Sequence, residues 1–230
     1  VDPHRLANPM TGKRNINVDD AYGLKTPEDS VRLYADWAET YDADFVSRLG
    51  YIYHQEVALQ FMEYFGTASG ALLDVGCGTG VVGIALREAG ISCIDGIDIS
   101  AEMLAQSSKK KAGDGKPVYR NLIEADLTGS LDIANNQYAG IVSAGTFTHG
   151  HLGPESLEEL WRIAEPGAVC VIGVNAEHYE SSGFAEKFSD DVADARITEP
   201  DLVTVDIYAG APDDDEHAAD KALIVVCRTI

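Results

Sequence analysis

The stretch Leu72-Leu73-Asp74-Val75-Gly76-Cys77-Gly78-Thr79-Gly80, running on to Gly83, decides the fold. An apolar run holding one carboxylate is followed by glycines alternating with small side chains. Such a segment reads as a strand, a tight turn and the start of a helix. Glycine lets the backbone approach a ligand closely, and the free N–H groups of a helix start favour an anionic group there. The rhythm repeats downstream. Residues 81–89 are helical in pattern and stop at Gly90, and 92–97 form the next strand. A helix over 101–111 is capped by Ser100, and strands follow at 117–123 and 138–143. Pro154 opens a helix that Pro166 and Gly167 end, before an apolar strand at 168–175. Strands alternating with helices imply a parallel sheet covered on both faces. Residues 202–208 and 222–227 have no room for a helix between them, so they pair as an antiparallel hairpin. The expected fold is therefore α/β and Rossmann-like. It has a seven-stranded, mostly parallel sheet with helices on both faces and a C-terminal antiparallel hairpin.

Outside this core, residues 1–27 carry Pro3, Pro9 and Pro27 without periodicity and read as a mobile tail. Residues 28–66 form a helical segment preceding the core at 67–230. It comprises a helix from Pro27 to about residue 48 and a second over 55–65. Acidic side chains dominate the charge: 38 Asp and Glu against 17 Lys and Arg, a net charge of −21. That balance disfavours nucleic acid and anionic membranes as partners, because both require clustered cations. The one basic run, at 109–111, reads as a solvated helix terminus. The acidic run at 213–216 reads as a solubilising loop rather than a metal site. Four cysteines without a CxxC pair read as reduced thiols, which together with the absence of a leader-like apolar run points to the cytoplasm. Nothing in the sequence fixes the oligomeric state.

Two acidic positions define the ligand further. Asp98 lies at the end of the second strand, 22 residues past Gly76, where a carboxylate can accept hydrogen bonds from vicinal ribose hydroxyls. The pattern Gly78-x-Gly80-x-x-Gly83 also fits a dinucleotide site, so the glycines alone leave the cofactor open. Asp74, inside the strand, would repel a pyrophosphate but suits a cationic amine. The helix-free terminal hairpin is also foreign to a dinucleotide fold.

LLDVGCGTG, then GIDIS with AEML, and EADL at 124–127 resemble the motifs of class I S-adenosylmethionine (SAM)-dependent methyltransferases. Residues 138–145 and 157–167 resemble their fourth-strand motif and the helix and Pro-Gly turn before the fifth strand, with Ala168 where a second Gly is usual. More narrowly, YADWAETYDADF and GTFTHGHL are similar to the Williams–Beuren-region methyltransferase-like proteins, the methyltransferase-like 27 group. The resemblance implies that Asp74 orients the turn and the methionine ammonium, and that Gly76, Cys77, Gly78 and Gly80 give backbone access. It implies that Asp98 binds the ribose, that Ile99 and Leu127 flank the adenine beside Met103, and that Asp126 accepts from the adenine amine. Ser143 or Ala144 would offer a carbonyl to the methionine amine. The implied activity is SN2 methyl transfer to an oxygen, nitrogen or sulfur nucleophile of a small molecule, with S-adenosyl-L-homocysteine (SAH) as product. A protein methyltransferase and a non-catalytic SAM- or SAH-binding module are the competing readings.

Tyr34, Trp37 and Tyr41 share one helix face and serve either as core or as a lid over the cofactor, where rings stabilise a sulfonium. His149 and His151 follow the fourth strand, and an extended loop would point both the same way. His149 is the expected general base, since imidazole titrates near neutrality. No third ligand has suitable spacing, so no metal is expected. Tyr34, His54, His151 and Asn175 are expected to touch the substrate, with Tyr51 and Tyr53 as weaker choices.

Overall fold

A computed structural model describes residues 16–66, 69–210 and 217–230. The acidic run at 213–216 and most of the N-terminal stretch, 1–15, lie outside the described residues. Seven strands form one sheet: β1 (Leu72–Val75), β2 (Ile94–Asp98), β3 (Asn121–Glu124), β4 (Tyr138–Phe147), β5 (Ala164–Asn175), β6 (Asp201–Asp206) and β7 (Lys221–Arg228). Their order is β3-β2-β1-β4-β5-β7-β6. The first five run parallel, while β7 lies antiparallel to both β5 and β6. This is the Rossmann-like fold with a terminal antiparallel hairpin that the sequence predicts.

The period of two in the strands sorts the core onto two faces. Leu72, Val142, Val171 and Ile224 pack on one face with α3 (Tyr53–Phe65), α4 (Val81–Glu88) and α5 (Ala101–Ser107). Leu73, Ile141, Ile172 and Val225 pack on the other with α6 (Leu157–Ile163) and α8 (Phe184–Ala193). Gly140 leaves space for the Phe61 ring, which would lie 2.6 Å from a Cβ there. Between β5 and β6, α7 (Ala176–Ser181) and α8 fill a stretch to which the sequence pattern assigned no element.

The N-terminal segment differs from expectation. Residues 16–27, expected within a mobile tail, are laid onto the domain. Asn17 and Asp20 make a reciprocal capping box that starts α1 (Val18–Tyr22), and Val18 and Ala21 are buried. Thr26 caps α2 (Pro27–Trp37), whose first residue is a proline. The expected single helix to residue 48 instead ends at Trp37 and resumes as a π-helical turn, Asp42–Ser47. Wide turns of this kind cluster at functional sites.

Candidate active site

Helix and strand ends converge where the order reverses between β1 and β4, the usual ligand position in such sheets. A cleft of about 880 Å³, its mouth included, opens there. The turn after β1 forms its floor. Gly76 has φ +65° and Gly78 φ +51°. A Cβ on Gly76 would come within 1.9 Å of Thr146 Oγ1, whereas one on Gly78 would meet nothing within 4 Å. Gly78 is therefore bare backbone facing open space, a cradle that a side chain would fill.

Asp98 is buried at the rim, its carboxylate held by two backbone donors. Oδ2 accepts from Gly78 N at 2.8 Å and Oδ1 from Ser100 N at 2.9 Å. Burial pushes its carboxyl up, and those two N–H groups pull it back. Ile99, Met103 and Leu127 line the same cleft beside Asp126, which is fixed by accepting from Thr128 N at 2.8 Å and Thr128 Oγ1 at 2.7 Å. A carboxylate pair flanking an apolar slot above bare backbone has the chemistry to take a ribose, a purine and an amino-acid tail.

Several predicted cofactor residues sit beneath the cleft, outside its lining. Asp74 is fully buried, and its Oδ2 accepts from Tyr119 OH at 2.6 Å. Burial raises its carboxyl to about 7. Its other oxygen, Oδ1, is buried without a hydrogen-bond partner, and Asp74 is not among the residues lining the cleft. Cys77 is buried, its N–H donating to Ile97 O at 3.0 Å, and burial pushes the thiol up. Gly80 packs the turn against Ser107 and Tyr119. Ser143 donates its hydroxyl to Val75 O at 2.9 Å and is also buried, so Ala144, not Ser143, reaches the cleft.

A second, narrower chamber, about 530 Å³ with the open space at its mouth included, adjoins the cleft. Tyr34, Tyr41, Gly145 and His151 line both. Trp37, expected at the cofactor, lines this chamber instead, as do Asn175 and the weaker candidates Tyr51 and Tyr53. Its rings form a continuous cluster: Trp37 meets Tyr41 at a centroid distance of 4.9 Å, and Phe45 meets both Tyr41 and Tyr51 at 4.9 Å. Tyr208 closes the far side, paired by a bridge to Tyr51. Phe45, Tyr208 and Tyr22 were not anticipated. Phe45 continues the Trp37 and Tyr41 spacing at i+4, a readable signal; Tyr208 comes from 163 residues away along the chain and gives none.

The two histidines separate. The loop turns instead of extending, with His151 N donating to Thr148 O at 3.1 Å and Gly150 at φ +75°. His149 consequently leaves both cavities and packs near Tyr22 and His178. His151 is the histidine at the shared wall. Its Nδ1 lies 2.9 Å from His149 O, an acceptor only, so Nδ1 carries the proton and Nε2 accepts from Tyr34 OH at 2.9 Å. Burial pulls its pKa below the ordinary histidine value. His54 lines neither cavity; it stacks on Tyr51 at 5.4 Å, and burial lowers its pKa to about 4.

Asp42 ties the N-terminal segment to the glycine turn and to Lys110 through two contacts. Asp42 Oδ1 accepts from Thr79 Oγ1 at 2.5 Å, and Asp42 Oδ2 pairs with Lys110 Nζ at 2.6 Å. Lys110, expected to be solvated, is thus 18% exposed and engaged. In the aromatic helix and the turn after it, Trp37 is buried, as the packing reading expects, while Tyr34 and Tyr41 line the cleft.

Comparison with known proteins adds the following. Residues 72–167 match a family described as a methyltransferase domain. No curated protein matches the chain. Solved structures with the same fold include the (4+2)-cyclase SpnF, at 14% identity over 89% of this chain and 97% of that one, with a TM-score of 0.62. Geranyl diphosphate C-methyltransferase from Streptomyces coelicolor, solved with Mg2+, geranyl diphosphate and SAH, matches at 15% identity over 88% and 97%, TM-score 0.58. A Methanococcus maripaludis protein ascribed to the SAM-dependent methyltransferases matches at 19% identity over 84% and 91%, TM-score 0.55. At these identities the likeness is one of fold. Among the described residues, no helix is long and apolar enough to cross a membrane.

Proposed function

From a methyltransferase fold whose residues 72–167 match a methyltransferase-domain family, we propose that this protein is a SAM-dependent methyltransferase acting on a small molecule in the cytoplasm. The acceptor atom is an oxygen, nitrogen or sulfur nucleophile, and SAH is the product. The observation carrying this reading is the pair of adjoining cavities, one glycine-floored with two carboxylates beside an apolar slot, one aromatic, that share Tyr34, Tyr41, Gly145 and His151. Asp98 would hold the ribose hydroxyls and Asp126 the adenine amine, with Ile99, Met103 and Leu127 around the purine. Gly76 and Gly78 would admit the methionine portion. When bound, SAM supplies an electrophilic methyl group on a sulfonium.

The chain contributes alignment and exclusion of water. Transfer gains most from holding donor and acceptor in line, and the shared wall offers one place for that. Tyr34 and Tyr41 present ring faces where a sulfonium gains cation–π stabilisation, and the roof they form keeps water out. A protein substrate would need an open groove, whereas the acceptor side here is walled by α1, the π-helical turn and the loop at Tyr208. The similarity to the Williams–Beuren-region methyltransferase-like proteins fits this reading and implies no particular acceptor.

Calorimetry with SAM, SAH and NAD tests it. SAM and SAH are expected to bind in the micromolar range, at about −7 to −8 kcal/mol. Failure of both to bind below about millimolar, with NAD binding instead, would overturn the proposal. SAH binding without SAM turnover in any metabolite fraction would identify a binding module.

A further inference from the structure

The aromatic chamber carries more than a place for an acceptor; it restricts what the acceptor is. No Lys, Arg, Asp or Glu lines it, so a phosphate, carboxylate or fixed ammonium would enter without a counter-charge. Its walls are largely rings, which match a flat apolar body. Three buried polar atoms of residues on those walls have no hydrogen-bond partner within the protein: Thr148 Oγ1 and, on the rings, Trp37 Nε1 and Tyr53 OH. Indole N–H is a donor only and phenol O–H donates readily, so both are complemented by an oxygen acceptor. Leaving such groups unpaired in a dry site is costly, and an oxygen acceptor in the chamber towards which either ring shifts would relieve that cost. At the wall shared with the cofactor cleft, Tyr34 donates to His151 Nε2, whose ring holds its other proton on Nδ1 against His149 O.

Resting on the methyltransferase reading, we propose that the acceptor is an uncharged, planar aromatic compound bearing a hydroxyl, methylated on that oxygen, with Tyr34 and His151 relaying the proton away. The acceptor oxygen uses a lone pair to form the bond to the methyl carbon, and the C–S bond breaks with its electron pair going to sulfur. The hydroxyl proton passes to Tyr34 Oη as the Tyr34 proton moves to His151 Nε2. Tyr34 therefore stays neutral, His151 becomes an imidazolium, and the proton is later lost to solvent. The Nδ1–H bond to His149 O stabilises that cation. Burial holds the Tyr34 phenol far above its ordinary value, which suits a relay that never exists as a free anion.

The test uses the full chain saturated with SAH and fluorescence titration with 2-naphthol and 7-hydroxycoumarin, with naphthalene as the oxygen-free control. At least one phenol is expected to bind at least tenfold more tightly than naphthalene. Tyr53→Phe should weaken that phenol at least fivefold while leaving SAH affinity and melting temperature unchanged. His151→Gln should keep phenol and SAH binding within threefold, yet remove formation of the methyl ether when SAM replaces SAH. The wild type should also show an acid limb in its pH–rate profile as His151 protonates. If SAH binds but neither phenol does, or naphthalene binds equally well, the inference is overturned and the methyltransferase reading stands. Stronger binding of 2-naphthylamine would overturn it in favour of a nitrogen acceptor, and stronger binding of a benzyl trimethylammonium ion in favour of a cationic ligand. If SAH itself does not bind, the underlying reading has failed.

Discussion

Replacing Asp98 with Ala separates the two jobs assigned to one carboxylate. In the resting protein Asp98 accepts from Gly78 N and Ser100 N, at 2.8 and 2.9 Å. Losing it strands two N–H groups, a cost of about 1–3 kcal/mol each when they stay dry. Asp98 lines the cleft, where water can reach those donors, and its own burial penalty disappears with it. The net loss should therefore lie near 1–2 kcal/mol, which lowers the melting temperature of a domain this size by roughly 2–8 °C. The second job proposed for it is to receive the ribose hydroxyls. Charge-assisted bonds of that kind contribute about 1.5–3 kcal/mol, so SAH affinity should fall by about 10- to 150-fold. Calorimetry at a temperature where both proteins are folded measures the second effect apart from the first. Wild-type SAH affinity in a variant that melts early would show that Asp98 only anchors the turn, and the ribose assignment would be wrong.

Asp42→Ala removes both contacts that fasten the N-terminal segment to the glycine turn and Lys110. Because Asp42 is 47% exposed, the stability cost should be only about 0.5–1 kcal/mol, but amide exchange across α2 and the π-helical turn should quicken and SAH should dissociate faster; unaltered exchange would deny the latch. His54 is buried as the neutral imidazole, its pKa lowered from 6.5 to about 4. The unfolded chain then binds more protons than the folded one between those values, so stability is complete above pH 6.5 and declines as pH falls towards 4. The decline should reach up to about 3 kcal/mol from this group. His54→Phe keeps the stacking on Tyr51 and should flatten this part of the pH–stability curve measured by urea unfolding, while an unchanged curve would place the acid sensitivity elsewhere.

Much of the fold is legible in the sequence because its strands are short apolar runs punctuated by glycine and proline. The glycine turn, the register of apolar residues in β5 and the closing hairpin all announce themselves locally. The α1 helix does not, because its five residues depend on one capping box and on two side chains, Val18 and Ala21, that bury only after the domain exists. The helix α8 carried a signal in Phe184 and Phe188, four apart and both buried, that the strand-to-strand reading passed over. At the site, residues after strand ends are readable because the topology places them: Gly76, Gly78, Asp98, Ile99 and Asp126 reach the cleft. Choosing between His149 and His151 fails because it rests on an extended loop, and the turn at Gly150 reverses which ring faces inward. The partnership of Asp42 with Lys110 joins residues 68 positions apart, and nothing local in either segment encodes it.

The walls of the aromatic chamber are drawn from distant parts of the chain: α1 and α2 at one end, Tyr51 and Tyr53 between, and Tyr208 at the other. The donor cleft is built mostly on consecutive strand ends of the central sheet. Joining α1 to the loop before β7, as Tyr22 does by donating to Asp220 across 198 residues, closes one of the longest loops in the molecule. Such contacts form after the sheet that brings them together, so the acceptor wall should be the last part of the protein to assemble and the first to open. The same separation leaves the two halves free to drift apart in evolution. Substitutions at positions that line only the aromatic chamber, such as Phe45 and Tyr208, can reshape the proposed acceptor pocket without touching the cleft, so the lineage could exchange acceptors while the proposed donor site stays fixed.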